Sequence, residues 1–112
     1  MQVREFARKQ GRFGRAYALG VTLTPATDLD LAAEMLAFEG AVRDWVRRRG
    51  RSGDLIQLTA VADVRLHDEL ETRLTGLVGA TSPFRAALRG RTLMVSVLDG
   101  AGQPRREATL TF

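Results

Sequence analysis

The chain has 112 residues, 45% of them hydrophobic and 27% charged, so we expect one domain, 1–112, and no apolar run spans a membrane. The chain has no cysteine and one histidine, which excludes a disulfide framework, a thiolate nucleophile and a multi-histidine metal site within one chain. The charged N-terminus is unlike a signal peptide, so we expect a cytoplasmic protein. The formal net charge is +4 and only Lys9 of the 17 basic residues is lysine, a bias that suits phosphate contacts but that codon usage in a GC-rich genome explains more simply.

The first two predicted elements are strands joined by a glycine turn. Residues 2–10 alternate weakly and predict an edge strand. The turn is GRFG at 11–14, and the clean alternation of 15–24 predicts a second strand with one buried face. The other face of this strand is small or polar, which would let another subunit or a ligand approach closely.

Residues 31–49 predict the amphipathic helix around which the fold is organised. Its apolar side chains recur at steps of four and three and form one stripe: Leu31, Met35, Phe38, Val42 and Trp45. Asp28 or Asp30 can cap the start of the helix, and Gly50 supplies the stop.

The middle of the chain contains a stretch that fits two kinds of secondary structure. Residues 55–62 (LIQLTAVA) alternate, which favours a short strand, although their length also fits the start of the next helix. Asp63 is the expected N-cap of a second amphipathic helix, whose stripe is Leu66, Leu70, Leu74 and Leu77. Residues 81–83 are expected to be loop.

Two further strands close the chain. Residues 91–98 and 107–112 alternate, and the turn cluster DGAGQP at 99–104 separates them. We therefore expect an α+β fold: an antiparallel four-stranded sheet in the order ββααββ, with two helices on one face.

Few residues show a recognisable chemistry. His67 stands beside Asp68 and is a weak catalytic candidate, as a base oriented by a carboxylate. Because His67 lies off the stripe that contains Leu66 and Leu70, we favour a histidine on the helix surface. No Walker-type pattern and no nucleophile elbow is present.

A basic patch surrounds the end of the first predicted helix and consists of Arg47, Arg48, Arg49 and Arg51. Such a patch can bind phosphate groups. A helix C-terminus is also a normal place for arginine, and no aromatic residues are interleaved to form a stacking platform. A solvated surface is therefore the preferred interpretation.

Three segments share features with one known family. Residues 12–23 (RFGRAYALGVTL) contain a glycine followed by an alternating strand. Residues 35–45 (MLAFEGAVRDW) carry Met35 and Phe38 in a segment that leads into the first helix. Residues 95–100 (VSVLDG) belong to a late strand that ends in an acidic residue. In this order they resemble the 6-pyruvoyl tetrahydropterin synthase family and its carboxytetrahydropterin synthase relatives. The hallmark of that family is His-Gly-His-Asn-Tyr before the second strand, and its tunnelling fold has the same order of elements as the one expected here.

The resemblance implies a zinc site and a catalytic cysteine that this chain lacks. Two of the three zinc-binding histidines of the family would fall on Phe13 and Arg15, which cannot ligate zinc, so no metal and no cofactor are expected. The resemblance still implies one binding feature of the family, a carboxylate at a sheet end that pairs with the N–H donors of a pterin- or purine-like ring. Asp99 would be that residue, although an aspartate that opens a β-turn is the simpler interpretation.

The resemblance therefore predicts a degenerate, zinc-free relative of the pterin synthases that acts as an oligomeric binding or scaffold protein. Its ligand would be a small pterin- or purine-like heterocycle at a subunit interface. We expect a homo-oligomer, since the small face of 15–24 and the terminal strands need cover. Two alternatives stay open, an arginine-rich nucleic-acid-binding module and a metal-independent enzyme of the same fold that uses His67. A chance resemblance, in an unrelated small α+β protein, is a further interpretation.

Overall fold

One five-stranded sheet forms the frame of the molecule in the computed structural model, which describes residues 1–9, 11–12, 14–49 and 54–112. The strands lie side by side in chain order: β1 (Gln2–Lys9), β2 (Arg15–Leu23), β3 (Leu55–Val61), β4 (Thr92–Leu98) and β5 (Pro104–Thr111). The outer strands β1 and β5 pair antiparallel with their neighbours, whereas β2, β3 and β4 run parallel to one another.

The expected antiparallel four-stranded sheet with two helices is wrong, because the described residues form a mixed five-stranded sheet with three helices. The short strand favoured for 55–62 is confirmed, and it forms β3 at the centre of the sheet. Both of its pairings are parallel, and a helical crossover links each pair, as parallel strands require. The two terminal hairpins are confirmed, but the central parallel strands also overturn the tunnelling-fold topology.

Helix α1 (Asp28–Arg48) connects β2 to β3. The stripe predicted from the sequence is buried in full: Leu31, Met35, Phe38, Val42 and Trp45. The N-cap differs from the expected one, because the side-chain oxygen of Thr27 accepts a hydrogen bond from the backbone N–H of Asp30 at 3.2 Å. Asp28 and Asp30 lie instead in the first turn, where the helix dipole favours acidic side chains. The expected stop at Gly50 lies outside the described residues.

The second crossover contains the helices α2 (His67–Val78) and α3 (Pro83–Ala87). A 3-10 turn precedes α2, and Asp63 caps this turn by accepting a hydrogen bond from the backbone N–H of Arg65 at 2.9 Å. The expected loop at 81–83 is wrong in part, because Ser82 is the N-cap of α3 and Pro83 occupies its first turn. In the described part of the chain, no helix has both the length and the apolar character needed to cross a bilayer.

The two faces of the sheet differ. The helices pack on the face that we name the covered face, where alternate residues of β2, β3 and β4 enter the core: Leu19, Val21, Leu23, Ile56, Leu58, Ala60, Leu93, Val95 and Val97. We name the opposite side the open face, because no helix lies on it among the described residues. It carries small, polar or partly exposed side chains, including Arg4, Phe6, Gly20, Thr22, Gln57, Thr59, Met94, Ser96, Glu107 and Thr109.

Candidate functional site

A hollow of about 680 Å³ lies on the covered face, between α2 and β5, and we name it the α2–β5 groove. Its apolar lining comes from three elements: Leu70, Leu74 and Val78 of α2, Leu93, Val95 and Val97 of β4, and Ala108 and Leu110 of β5. The register places Ala108 opposite Val95 and Leu110 opposite Leu93, so their side chains share the covered face. Because Ala108 is small, it leaves room between the sheet and α2.

An ion pair bridges the groove near the N-terminal end of α2. The guanidinium of Arg106 on β5 pairs with the carboxylate of Glu71 on α2, and its Nη2 atom lies 3.8 Å from Oδ1 of Asp68. Both partners of the main pair are about half exposed, and exposed ion pairs contribute little to stability. The bridge can therefore open or exchange partners at low cost.

His67 lies at the same end of the groove and is buried, so the expected surface position is wrong. His67 and Leu70 are three residues apart in α2, so they lie on the same side of the helix and are buried together. The Nε2 atom of His67 is 3.0 Å from the carbonyl oxygen of Ala62, and because a carbonyl only accepts, Nε2 carries the proton. The Asp68 side chain is exposed and lies near Arg106 rather than on the imidazole, so the His67–Asp68 pair is not brought together.

Asp99 opens the turn between β4 and β5 and is buried. Its Oδ1 atom accepts hydrogen bonds from the backbone N–H groups of Ala101 at 2.9 Å and Gln103 at 3.0 Å, and its Oδ2 atom accepts from Nε of Arg105 at 2.8 Å. The bond from Gln103, followed by those from Arg105 and Ala101, lowers the pKa of this carboxyl, although burial acts in the opposite direction. Both oxygens therefore serve the turn, as the simpler interpretation of Asp99 predicts.

Most of the predicted basic patch lies where α1 meets the β1–β2 hairpin. The Arg48 guanidinium pairs with Glu5 at 2.8 Å, the Arg49 guanidinium lies 5.9 Å from the centre of the Tyr17 ring, and Arg47 is 4.0 Å from Asp44. Arg51 lies outside the described residues.

Three further cations, Lys9, Arg12 and Arg15, line a hollow of about 620 Å³ at the hairpin turn. None of these three has an ion-pair partner in the part of the chain that the structure describes. We give the name basic end to these three residues together with Arg47, Arg48 and Arg49.

The structure also locates one of the two positions where the resemblance would place zinc ligands. Arg15 is exposed at the start of β2, whereas Phe13 lies outside the described residues. Among the residues that the structure does describe, no group of three or more histidine, aspartate or glutamate side chains is arranged to hold a metal ion.

The sequence analysis does not identify the charged residues that line the groove, which are Glu71, Arg105, Arg106 and Glu107. A signal for Arg106 was present, because Ala108, Leu110 and Phe112 share one face of the last strand and the same alternation extended backwards reaches Arg106. The pairing of Arg106 with Glu71 depends on the distance between β5 and α2, and no local pattern encodes it.

Comparison with other proteins gives no relative from which a function could be transferred. No protein-family model matches the chain, and neither the curated proteins nor the solved structures yield a match. Function is therefore inferred from the geometry of the groove and from the distribution of charge.

Proposed function

We propose that this chain is a binding module that takes a largely apolar small molecule in the α2–β5 groove. The observation that carries the proposal is the size and lining of the groove. Its volume of about 680 Å³ lies within the range of roughly 300–1,000 Å³ that is typical of small-molecule sites. Its lining is mainly aliphatic, with a few polar groups at one end, which is the usual composition of such sites.

The positions of the polar groups suggest how the molecule would lie. His67, Glu71 and Arg106 mark one end of the groove, whereas Val78 and Leu110 mark the other. The apolar body would lie along α2, with its polar group toward Arg106. A ligand carboxylate or sulfonate can replace Glu71 on the guanidinium, because the existing pair is exposed and contributes little.

The proposal is tested with 8-anilinonaphthalene-1-sulfonate, which has an apolar ring system and one anionic group. Ala108→Phe places a ring in the groove, and we expect the fluorescence titration to show binding at least tenfold weaker. Ala33→Phe makes the same change on the exposed side of α1 and should leave binding unchanged. Equal binding by both variants, each shown by circular dichroism to be folded, would contradict the proposal.

A second variant separates the polar end from the apolar body. Arg106→Gln should weaken the sulfonate probe severalfold and leave a neutral apolar dye, Nile red, unaffected. Equal losses for both dyes would show that Arg106 shapes the groove rather than binding the anionic group.

The ligand implied by the resemblance stays a prediction. A pterin- or purine-like ring bound by Asp99 would have to replace the bonds from Ala101, Gln103 and Arg105. Asp99 does not line the α2–β5 groove, so direct titration of pterin and guanine, rather than displacement of the dye, tests this ligand, and an Asp99→Asn variant tests whether Asp99 holds the ring. The cytoplasmic location also stays a prediction, and it is tested by fractionating cells that express the chain.

A second candidate function is the binding of single-stranded nucleic acid at the basic end. The observation that favours it is the convergence of Lys9, Arg12 and Arg15 in one hollow at the β1–β2 turn. Phosphate contacts of this kind weaken steeply as salt rises. We expect a fluorescent oligonucleotide to bind at about 50 mM salt and to be lost by about 200 mM salt.

The matched variants for this candidate remove two positive charges each. Arg12→Gln with Arg15→Gln changes the basic end, whereas Arg85→Gln with Arg89→Gln changes exposed positions in and beside α3. The first double variant should weaken binding more than the second, and it should reduce the slope of affinity against salt. No binding at low salt, or equal losses in the two variants, would exclude the basic end as a nucleic-acid site.

A further inference from the structure

We propose that the open face is the interface between two identical copies of this chain, packed face to face about a twofold axis that runs parallel to the strands over β3. The first support is the character of the sheet. Its three central strands are parallel, an arrangement that in all-parallel sheets goes with cover on both faces. Ala18 and Leu55 are buried at one end of the open face, but Met94 is exposed and Gln57 and Thr59 are partly exposed along the rest of it, so this part of the face is available to an occupant.

The shape of the face identifies a second copy as that occupant. Gly20 of β2, Gln57 of β3 and Met94 of β4 lie in one row across the sheet. Gly20 opens a hollow of about 440 Å³ beside Arg4, Phe6 and Thr22, whereas Met94 projects from the same face with 39% of its surface exposed. A projection and a hollow therefore lie on either side of the central strand.

The twofold axis brings these two features together. Rotation about an axis parallel to the strands keeps each row at its level and exchanges β2 with β4 across β3. Met94 of one copy then lies over Gly20 of the other, and the reciprocal contact forms on the other side of the axis. The two Gln57 amides meet at the axis, where each can donate to and accept from the other.

The charges of the face support the same axis. Arg4 lies on β1 and Glu107 on β5, at opposite edges of the sheet, and neither has an ion-pair partner within the described residues. The rotation places β1 of one copy over β5 of the other, so Arg4 approaches Glu107, which lies one row or about 7 Å further along the strand. A twofold axis perpendicular to the strands would instead set β1 over β1 and bring like charges together.

The area of the face fits an association of moderate strength. Five strands spaced by about 4.8 Å and about seven residues long give a face of roughly 550 Å² per copy. Two such faces bury about 1,100 Å², just above the roughly 1,000 Å² that separates specific interfaces from incidental contacts. We therefore expect a reversible dimer whose population depends on concentration.

The first experiment is sedimentation velocity over a concentration series. The mass should rise from the 12.3 kDa of one chain toward twice that value as concentration increases. Met94→Asp places a charge in the hollow of the partner and should weaken the dimer at least tenfold, whereas Leu29→Asp, on an exposed residue of α1, should leave it unchanged. A mass of one chain at every concentration, or a dimer that Met94→Asp does not weaken, would overturn the proposal.

A charge exchange tests the orientation of the two copies. The Arg4→Glu variant alone opposes two carboxylates, and the Glu107→Arg variant alone opposes two guanidinium groups, so each should associate more weakly than the wild type. An equimolar mixture restores both pairs and should associate more strongly than either variant alone. Failure of the mixture to recover association would exclude this axis. Arg4 and Met94 do not line the α2–β5 groove, so binding of the dye there should not change in Arg4→Glu or Met94→Asp, which separates this test from that of the proposed function.

Discussion

The two faces of the sheet are made by the same strands but are used differently. On β2, Leu19, Val21 and Leu23 enter the core, whereas Gly20 and Thr22 lie on the open face. The covered face is filled by α1 and α3, but beneath α2 it retains the α2–β5 groove. Most of the buried apolar side chains of the sheet therefore lie on the covered face, and the candidate binding surfaces lie where that face is incompletely filled or where the opposite face is exposed.

The largest expected effect comes from removing a ring at the centre of the covered face. Phe38 is fully buried, and its ring centroid lies 5.7 Å from that of Phe84, so the side chain joins α1 to α3. Phe38→Ala should lower the free energy of unfolding by about 3–5 kcal/mol, from lost burial and the cavity that remains. Urea denaturation followed by circular dichroism measures the change.

The control for this prediction lies two residues away on the same helix. Leu36 is 71% exposed on the outer side of α1, and Leu36→Ala should change the free energy of unfolding by no more than about 0.5 kcal/mol. Similar losses of unfolding free energy for Phe38→Ala and Leu36→Ala would contradict the conclusion that the buried stripe of α1 forms the core.

A pair of reciprocal substitutions compares the two faces directly. Val21 and Thr22 are neighbours on β2, and Val21 is buried on the covered face whereas Thr22 is partly exposed on the open face. Val21→Thr buries a hydroxyl in an apolar core and should cost about 1–3 kcal/mol. Thr22→Val makes the reverse change and should alter the free energy of unfolding by no more than about 0.5 kcal/mol. Equal changes in the free energy of unfolding for Val21→Thr and Thr22→Val would contradict the distinction between the covered face and the open face.

These differences show what the sequence can and cannot specify. The stripe from Leu31 to Trp45 predicts correctly which side chains of α1 are buried, because periodicity records the environment of each residue. The alternation in β2 does so only in part, since Leu19, Val21 and Leu23 are buried as predicted but Ala16 and Ala18 on the opposite face are buried as well. Periodicity does not record which strand pairs with which, or in which direction. The short stretch 55–62 could therefore be read as a minor element, although it forms the centre of the sheet and changes the topology from antiparallel to mixed.

The candidate site was harder to predict than the fold, for the same reason. The α2–β5 groove exists because α2 stands away from the small side chain of Ala108, and this spacing is a property of packing. The stripe through Leu66 and Leu70 predicts a surface position for His67, but His67 is also three residues from Leu70 and shares its buried side of α2. Asp99, in contrast, was predictable as a turn residue, because an aspartate before glycine forms hydrogen bonds to the backbone within the next few residues.

The smallest expected effect concerns the turn that decides which residues of β5 lie on each face. A slip of one residue in β5 would move Arg106, Ala108 and Leu110 to the open face, so the hydrogen bonds of Asp99 help to hold the register. The folded-state pKa of Asp99 lies below its ordinary value of 3.8, chiefly because of the bond from Gln103. The carboxylate therefore adds stability that is fully present above the unfolded-state pKa and is lost as the pH falls through the lower folded-state pKa.

Thermal unfolding of the wild type and of Asp99→Asn as a function of pH tests this role of the turn. The wild type should have the higher melting temperature by a constant margin between about pH 5 and pH 7, and the margin should shrink below about pH 3.8. Asp44→Asn removes an exposed carboxylate from α1 and serves as the charge-matched control. A margin for Asp99→Asn that persists undiminished to about pH 2 would show that the ionised carboxylate does not hold the turn. Strand pairing alone would then determine which residues of β5 line the groove and which lie on the open face.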